Sequence, residues 1–227
     1  MSMPYFIFNG INSKDYLILN ELPPIYKAEK DITKIVVAGR DGFLTQDLGS
    51  YKSIVKTIKC TLRDLTQIDY ICSWLTGNGT LIISNEADKA YKATIINQIE
   101  FTEILRTFHS FIVQFECQPK KYALNNDVVT LESAGSLFNS GTANALPVIK
   151  LYGTGNISLT INGNIINLTN VSEYVTIDSD LMDCYKDTVL KNNDMLGEFP
   201  ELIPGSNSIS WTGSVAKVEI TPNWRYL

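Results

Sequence analysis

The side chains best able to do chemistry here are four cysteines, one histidine and a short run of aspartates. Cys60, Cys72, Cys117 and Cys184 include no Cys-x-x-Cys pair, and His109 is the lone histidine. A zinc site needs about four converging nitrogen or sulfur ligands, which this spacing does not supply. The four thiols read as buried core residues. Ser-His-Asp catalysis would have to use His109, and no nucleophile-elbow sequence accompanies it. His109 shares parity with Phe111, Val113, Phe115 and Cys117, so it reads as a core or edge residue of a strand. Asp178, Asp180 and Asp183 lack the glycine and distal glutamate of an EF-hand loop. Gly77-Asn78-Gly79 and Gly153-Thr154-Gly155 look like pieces of a phosphate loop. Neither continues to Gly-Lys-Ser/Thr or opens a helix, so both read as turns. No pair of carboxylates is singled out for acid–base work. The expectation is a protein that is not an enzyme, with no cofactor and no metal.

Composition narrows the class further. The chain has 227 residues, 44% of them hydrophobic and 19% charged, which is globular and long enough for one large or two small domains. Ile, Val and aromatic residues are frequent, which favours β structure. The net charge is −5, and the longest basic cluster is the pair Lys120-Lys121. Nucleic-acid binders rely on clustered Lys and Arg, so specific nucleic-acid binding is not expected. The opening residues show no basic stretch followed by a long apolar run, so no secretory leader is expected. No segment approaches the ~20 apolar residues of a membrane helix. A reducing cytosol, with release by lysis, fits these features.

The elements that would position these side chains are mostly strands. Residues 32–37 form an apolar β-branched run that ends at Gly39-Arg40-Asp41-Gly42, and Phe43-Leu44 resumes it. Asp-Gly supplies the positive φ of a tight reversal, so this reads as a hairpin. Ile54, Ile58, Cys60 and Leu62 alternate as in a strand, with Lys56 breaking the series. Asp64 and Gln67 resemble a capping box opening a helix over 65–76 that stops at Gly77. Two long strands follow, over 91–101 and 111–117. Apolar pattern weakens between 123 and 145, where a linker and the entry to a second domain are expected. Beyond it the pattern is purely β. A hairpin turns at Asn162-Gly163, and strands cover 209–212 and 216–220.

Several motifs, spread over nearly the whole chain, resemble the distal tail protein (Dit) family of long-tailed bacteriophages and prophages. They are Gly39-Arg40-Asp41-Gly42 with Phe43-Leu44, Trp74-Leu75-x-Gly77-x-Gly79-x-Leu81, and Phe115-x-Cys117-x-Pro119-x-x-Tyr122. In the second half they are Pro147-x-Ile149, Gly153-x-Gly155-Asn156-Ile157, and Ile177-Asp178-Ser179 with Tyr185-Lys186. The longest runs Gly197-x-Phe199-Pro200-x-Leu202-x-Pro204-Gly205-x-Asn207, then Trp211-x-Gly213, and ends Pro222-x-Trp224-Arg225-Tyr226.

The resemblance implies a mainly β chain. Residues 1–125 would form a ring-forming N-terminal β-fold with one α-helix and a belt-like hairpin, and residues 126–227 a galectin-like β-sandwich. It implies a structural ring, a hexamer, that joins the tail tube to tail-tip or baseplate proteins and lets DNA pass. The partners implied are other copies of the chain, the tail tube protein, a tape-measure or tail-associated protein, and a receptor-binding protein. The place implied is the virion tail tip, after synthesis in the bacterial cytoplasm. The ring-interface candidates are Ile35, Val37, Gly39, Arg40, Asp41, Gly42, Phe43 and Leu44. The alternative is a carbohydrate-binding sandwich using Trp211 and Trp224. Against it, the second half lacks the histidine of the galectin sugar site, and Trp211 sits in an alternating strand and reads as core.

Overall fold

The computed structural model describes residues 3–105 and 108–227. The chain divides into two compact units, the first reaching Lys121 and the second spanning Tyr122–Tyr226. Both are built mainly of strands, and one α-helix is present among the described residues.

In the first unit the strands are β1 (Phe6–Phe8), β2 (Ile11–Asn12), β3 (Leu17–Glu21), β4 (Lys30–Ile35), β5 (Leu44–Tyr51) and β6 (Ile54–Leu62). Helix α1 (Ile68–Trp74) follows, then β7 (Asn78–Ile83), β8 (Lys89–Ile95), β9 (Thr102–Leu105) and β10 (Phe108–Ala123), which runs on into the second unit. The main sheet has the order β2-β1-β7-β8-β10-β6-β3, with β9 also beside β10. Strands β4 and β5 form a separate two-stranded sheet.

Period two sets the core. In β6 the side chains of Ile54, Lys56, Ile58, Cys60 and Leu62 are all buried. Antiparallel pairing sets Ile58 opposite Val113 and Cys60 opposite Phe111 on β10. Lys56 therefore continues the inward series that its charge disguised. Helix α1 covers this layer with Ile71 and Trp74, and the Trp74 indole donates to the Phe8 carbonyl at 2.9 Å. The Asp64 side chain caps the helical segment by accepting from the Thr66 amide at 2.9 Å, but Gln67 adds no side-chain cap bond. The segment is shorter than the 65–76 expected. Leu65–Gln67 is a 3-10 turn, and Leu75 leaves helical geometry at ψ 64° to place its side chain in the core.

The strand expected over 91–101 also ends early. As the main chain leaves β10 after Ile96, the Asn97 side chain takes over the ladder. It donates to the Ile112 carbonyl at 2.8 Å and accepts from the Gln114 amide at 2.7 Å.

The second unit contains β11 (Val129–Leu131), β12 (Gly135–Asn139), β13 (Val148–Ile161), β14 (Asn164–Val171), β15 (Tyr174–Asp178) and β16 (Asp183–Lys186). It closes with β17 (Val189–Leu190), β18 (Met195–Leu196), β19 (Gly205–Thr221) and β20 (Arg225–Tyr226). The sheet order is β11-β19-β13-β15-β16-β17, with β12 also on β19, β14 on β13 and β18 on β14. The start of β13 pairs with β15 and its end with β14, so the sheet folds over its own core. One bent strand, β19, replaces the two expected over 209–220.

The bend falls where β13 and β19 slip register, between Tyr152 and Ser158. Two glycines permit it. A Cβ on Gly153 would lie 2.4 Å from the Ser214 carbonyl oxygen. Gly213 has φ +101°, and a Cβ there would lie 2.6 Å from the Asn156 carbonyl oxygen.

The polar stretch over 123–145 belongs to this unit and is not a loose linker. Strands β11 and β12 pair with β19, and Leu137, Asn139, Ala143 and Ala145 are buried. Its apolar signal is weak because its buried residues are few and mostly small. The Asn139 side chain donates to the Leu202 carbonyl at 2.8 Å and accepts from the Gly141 amide at 2.7 Å.

The bend gives a testable expectation. Gly213→Ala places a Cβ in an occupied, left-handed site and should cost the second unit roughly 2 kcal/mol in urea unfolding. Gly135→Ala, where the nearest atom to an added Cβ is 3.6 Å away, should stay within about 0.5 kcal/mol. Equal effects of the two would contradict this origin of the bend.

Candidate functional site: an exposed ribbon arm

All the residues expected at a ring interface lie on the β4–β5 ribbon. Every residue over 33–50 is exposed. The apolar side chains are in solvent: Ile35, Val36, Val37, Phe43, Leu44 and Leu48. Ile35 pairs with Leu44 and Thr33 with Gln46, so Ile35, Leu44 and Leu48 share one face. Lys34 stands over the Phe43 ring at 4.8 Å on the other side. The connection is longer than a tight Asp-Gly reversal. It runs over 36–43, with Gly39 and Gly42 both at positive φ, +78° and +80°. Arg40 and Asp41 lie at the exposed tip between them.

Val36 reads from the sequence as one of the apolar residues adjoining the candidates, and Leu48 was not among them. Leu48 is legible from its spacing, because it is four residues past Leu44 on the same strand face.

The arm is held at its root. Between β4 and β5 the Lys30–Asp47 ion pair closes at 2.5 Å, and the Asp47 side chain also accepts from the Gly49 amide at 2.9 Å. Below it, the Lys52 amide donates to the Glu29 carbonyl at 2.9 Å. The segment leading in, residues 22–29, lies over a buried polar cluster. Lys56 is fully buried, with its Nζ 4.7 Å from the Tyr91 ring centre and donating to the Pro24 carbonyl at 3.4 Å. Lys121 pairs with Glu86 at 2.5 Å, and the Tyr91 hydroxyl donates to the same carboxylate. The Asn85 side chain donates to the Pro23 carbonyl at 2.9 Å. One ammonium group, Lys121, thus pairs with the Glu86 carboxylate, and a second, Lys56, lies within its field beneath the segment that launches the arm.

The remaining sequence candidates are structural. Cys60, Cys117 and Cys184 are buried, while Cys72 is exposed, against the expectation of four buried thiols. Desolvation pushes the Cys60 and Cys117 thiols up to about 12. The Asp178 carboxylate accepts from the Asp180 and Leu181 amides at 3.0 and 3.1 Å, closing a turn. His109 is half-buried, and its Nδ1 has no hydrogen-bond partner among the described residues. Trp211 and Trp224 pack against the second core and do not form an open aromatic platform. Gly79 of the Gly-x-Gly pair lies under Asn9, whose side chain accepts from the Thr80 amide at 3.0 Å.

The buried cluster makes stability depend on pH. Burial acts to raise the Glu86 carboxyl, but hydrogen bonds from Lys121 and Tyr91 outweigh it and hold the group below the ordinary range. A carboxyl depressed in the folded state contributes stability above its unfolded value, about 4.3, and loses it as pH falls through the folded value. Burial lowers the Lys56 ammonium, with Glu86 opposing. Glu86→Gln strands the buried Lys121 ammonium and removes the charge that favours the Lys56 ammonium, and should cost the first unit roughly 3 kcal/mol at neutral pH. It should also remove this group's share of the loss below about pH 4. Lys56→Met should be within about 1 kcal/mol of the parent, or more stable. Urea unfolding at the two pH values measures both, and a costly Lys56→Met would contradict the picture.

No protein-family profile matches this chain, and no curated protein does. Among solved structures it is similar to SPP1 Dit, a protein described as a paradigm of the hub adsorption apparatus in phages infecting Gram-positive bacteria. The TM-score is 0.81 over 100% of both chains, at 15% sequence identity. Over its whole length, through both units, this chain has the fold of the SPP1 Dit protein.

Proposed function

We propose that this chain is a structural protein of a bacteriophage tail tip, a distal tail protein whose copies close into a hexameric ring. The observation that carries the reading is the arm: an isolated two-stranded ribbon with its apolar face in solvent, on a chain with a phage hub fold. A two-stranded hairpin is marginal alone in water, and six large apolar side chains clustered on one need a covering surface. A ribbon that finds no cover on its own chain finds it on the next copy. That contact joins two different surfaces, so it is heterologous, and heterologous contacts close into rings when the rotation allows. Ile35, Val37, Phe43 and Leu44 then supply the buried contact, while Gly39, Arg40, Asp41 and Gly42 shape its tip.

In this reading the ring joins the tail tube to tail-tip or baseplate proteins. Its neighbours are the tail tube protein, a tape-measure or tail-associated protein, and a receptor-binding protein. The second unit is the galectin-like domain. DNA passes through the ring without tight binding, which the net charge of −5 supports. A conduit that gripped each phosphate would have to release it during ejection.

The arm is tested by deleting Arg40 and Asp41 and replacing Phe43 with Ser, with mass read by light scattering over a concentration series. The expected product is a folded monomer where the parent forms oligomers. The same closed ring at the same concentration would show that the arm is not the clasp. Filter binding near physiological salt should retain little DNA, and submicromolar affinity would count against a conduit.

A further inference from the structure

A heterologous contact joins two different surfaces of one chain, and the ribbon is only the first of them. The second has to be uncovered, partly apolar and outside the ribbon. The outer face of the main sheet in the first unit meets these conditions. Ile18 of β3 stands opposite Thr61 of β6, and Thr61 stands opposite Ser110 of β10. Side chains alternate along a strand, so Val55 and Ile112, each an even number of residues from that row, share its face. Ile18, Val55 and Ile112 are all exposed. Around Ile112 the face deepens into a groove of about 370 Å³, lined by β3, β6, β10 and the segment over 97–104. Ile112 and Ile104 are its aliphatic side chains, exposed by 43% and 57%, beside Ser110, Thr102, Asn20 and Gln98. Its two charged residues, Lys59 and Glu100, balance each other.

The ribbon matches this surface in size and in chemistry. The groove is a little over twice the ~150 Å³ that takes a benzene ring, room for two aliphatic side chains. Ile35 and Leu44 stand opposite each other on one ribbon face, next to the pair Thr33 and Gln46. These four residues and Leu48 bring no charge, which suits a groove whose own charges balance. Each ribbon strand has one side with no partner strand among the described residues. Such free amides and carbonyls seek hydrogen bonds, and Asn, Gln, Ser and Thr side chains line the groove. Strand β5 has 8 residues and is therefore ~26 Å long, enough to cross β10, β6 and β3, whose axes span ~10 Å. Within one chain the two surfaces stay apart, since every residue over 33–50 is exposed and none of them lines the groove.

We propose that the outer face of β3, β6 and β10, centred on this groove, is the seat of the ribbon of a second copy of this chain. The proposal rests on the reading of the ribbon as the clasp and supplies the other half of each contact. Ile35 and Leu44 of one copy insert beside Ile104 and Ile112 of the next, and the polar lining meets the ribbon's free edge. Each copy gives one ribbon and receives one, so a closed ring leaves neither apolar surface in water. The balanced charge gives a strongly charged partner no advantage at this face.

The test is complementation between two full-length variants. One loses the groove, through Ile104→Glu with Ile112→Thr. The other loses the ribbon, through the deletion of Arg40 and Asp41 with Phe43→Ser. Light scattering should find each alone monomeric where the parent forms rings. Mixed in equal amounts they should form dimers of one copy of each and grow no further, because one keeps a working ribbon and the other a working groove. Circular dichroism checks that each is folded, and Ile104→Glu alone, which should raise the concentration needed for assembly about tenfold, serves if the double variant is not. Leu65→Glu, at an exposed apolar position outside the groove, should assemble as the parent does. Rings from a folded groove variant would overturn the groove and leave the ribbon as the clasp. Rings from the ribbon variant would overturn the ribbon reading and this proposal with it. Variants that fail to pair when mixed, loss of assembly in Leu65→Glu, or a parent that stays monomeric up to roughly millimolar would overturn the proposal as well.

Discussion

A two-stranded ribbon has only one layer, and no other part of the described chain buries the apolar face that Ile35, Leu44 and Leu48 present. The organisation of the first unit follows from that constraint. If the arm docks on a neighbouring copy, as proposed, it gains from being held at its root, because a swinging arm would lose conformational entropy on docking. The root is held by the Lys30–Asp47 ion pair and the Lys52–Glu29 backbone bond, and the segment leading in by the buried cluster of Lys56, Glu86, Tyr91 and Lys121. Buried charges tolerate few arrangements, since each displaced partner leaves a desolvated ion. The segment over 22–29 is thereby pinned at the Pro23 and Pro24 carbonyls, in addition to the packing of Leu22 on the core and the burial of Ala28.

The second unit answers a different constraint. Two long strands, β13 and β19, must bend together to enclose a core, and side chains at the bend would collide with the opposite backbone. Gly153 and Gly213 remove those side chains. Once the sheet has curled, its far edge is left short and open at β17, beside a cleft floored by Val171, Val175 and Cys184. One chain thus carries an apolar ribbon that its own described strands leave uncovered and an edge strand with one side unpaired among the described residues.

The sequence by itself determined much of this. Alternation at Ile54, Ile58, Cys60 and Leu62 fixed β6 and its inward face, Asp64 fixed the start of the helical segment, and Asn162-Gly163 fixed a hairpin. These are local signals, in which a residue's own backbone preference or parity decides the outcome. The apolar residues around Gly39 to Leu44 were equally plain. Their exposure was not, because periodicity says which side chains share a face and never whether that face meets its own sheet. Lys56 was misread for the same reason: parity placed it inward, but only the arrival of Glu86, Tyr91 and the 22–29 segment makes an inward lysine tolerable. The stretch over 123–145 looked like a linker because its buried residues are few and mostly small, and the Asn139 side chain bonds backbone groups, which leaves a weak apolar signature. Tertiary structure alone decided these points, since each depends on contacts between residues far apart in the chain.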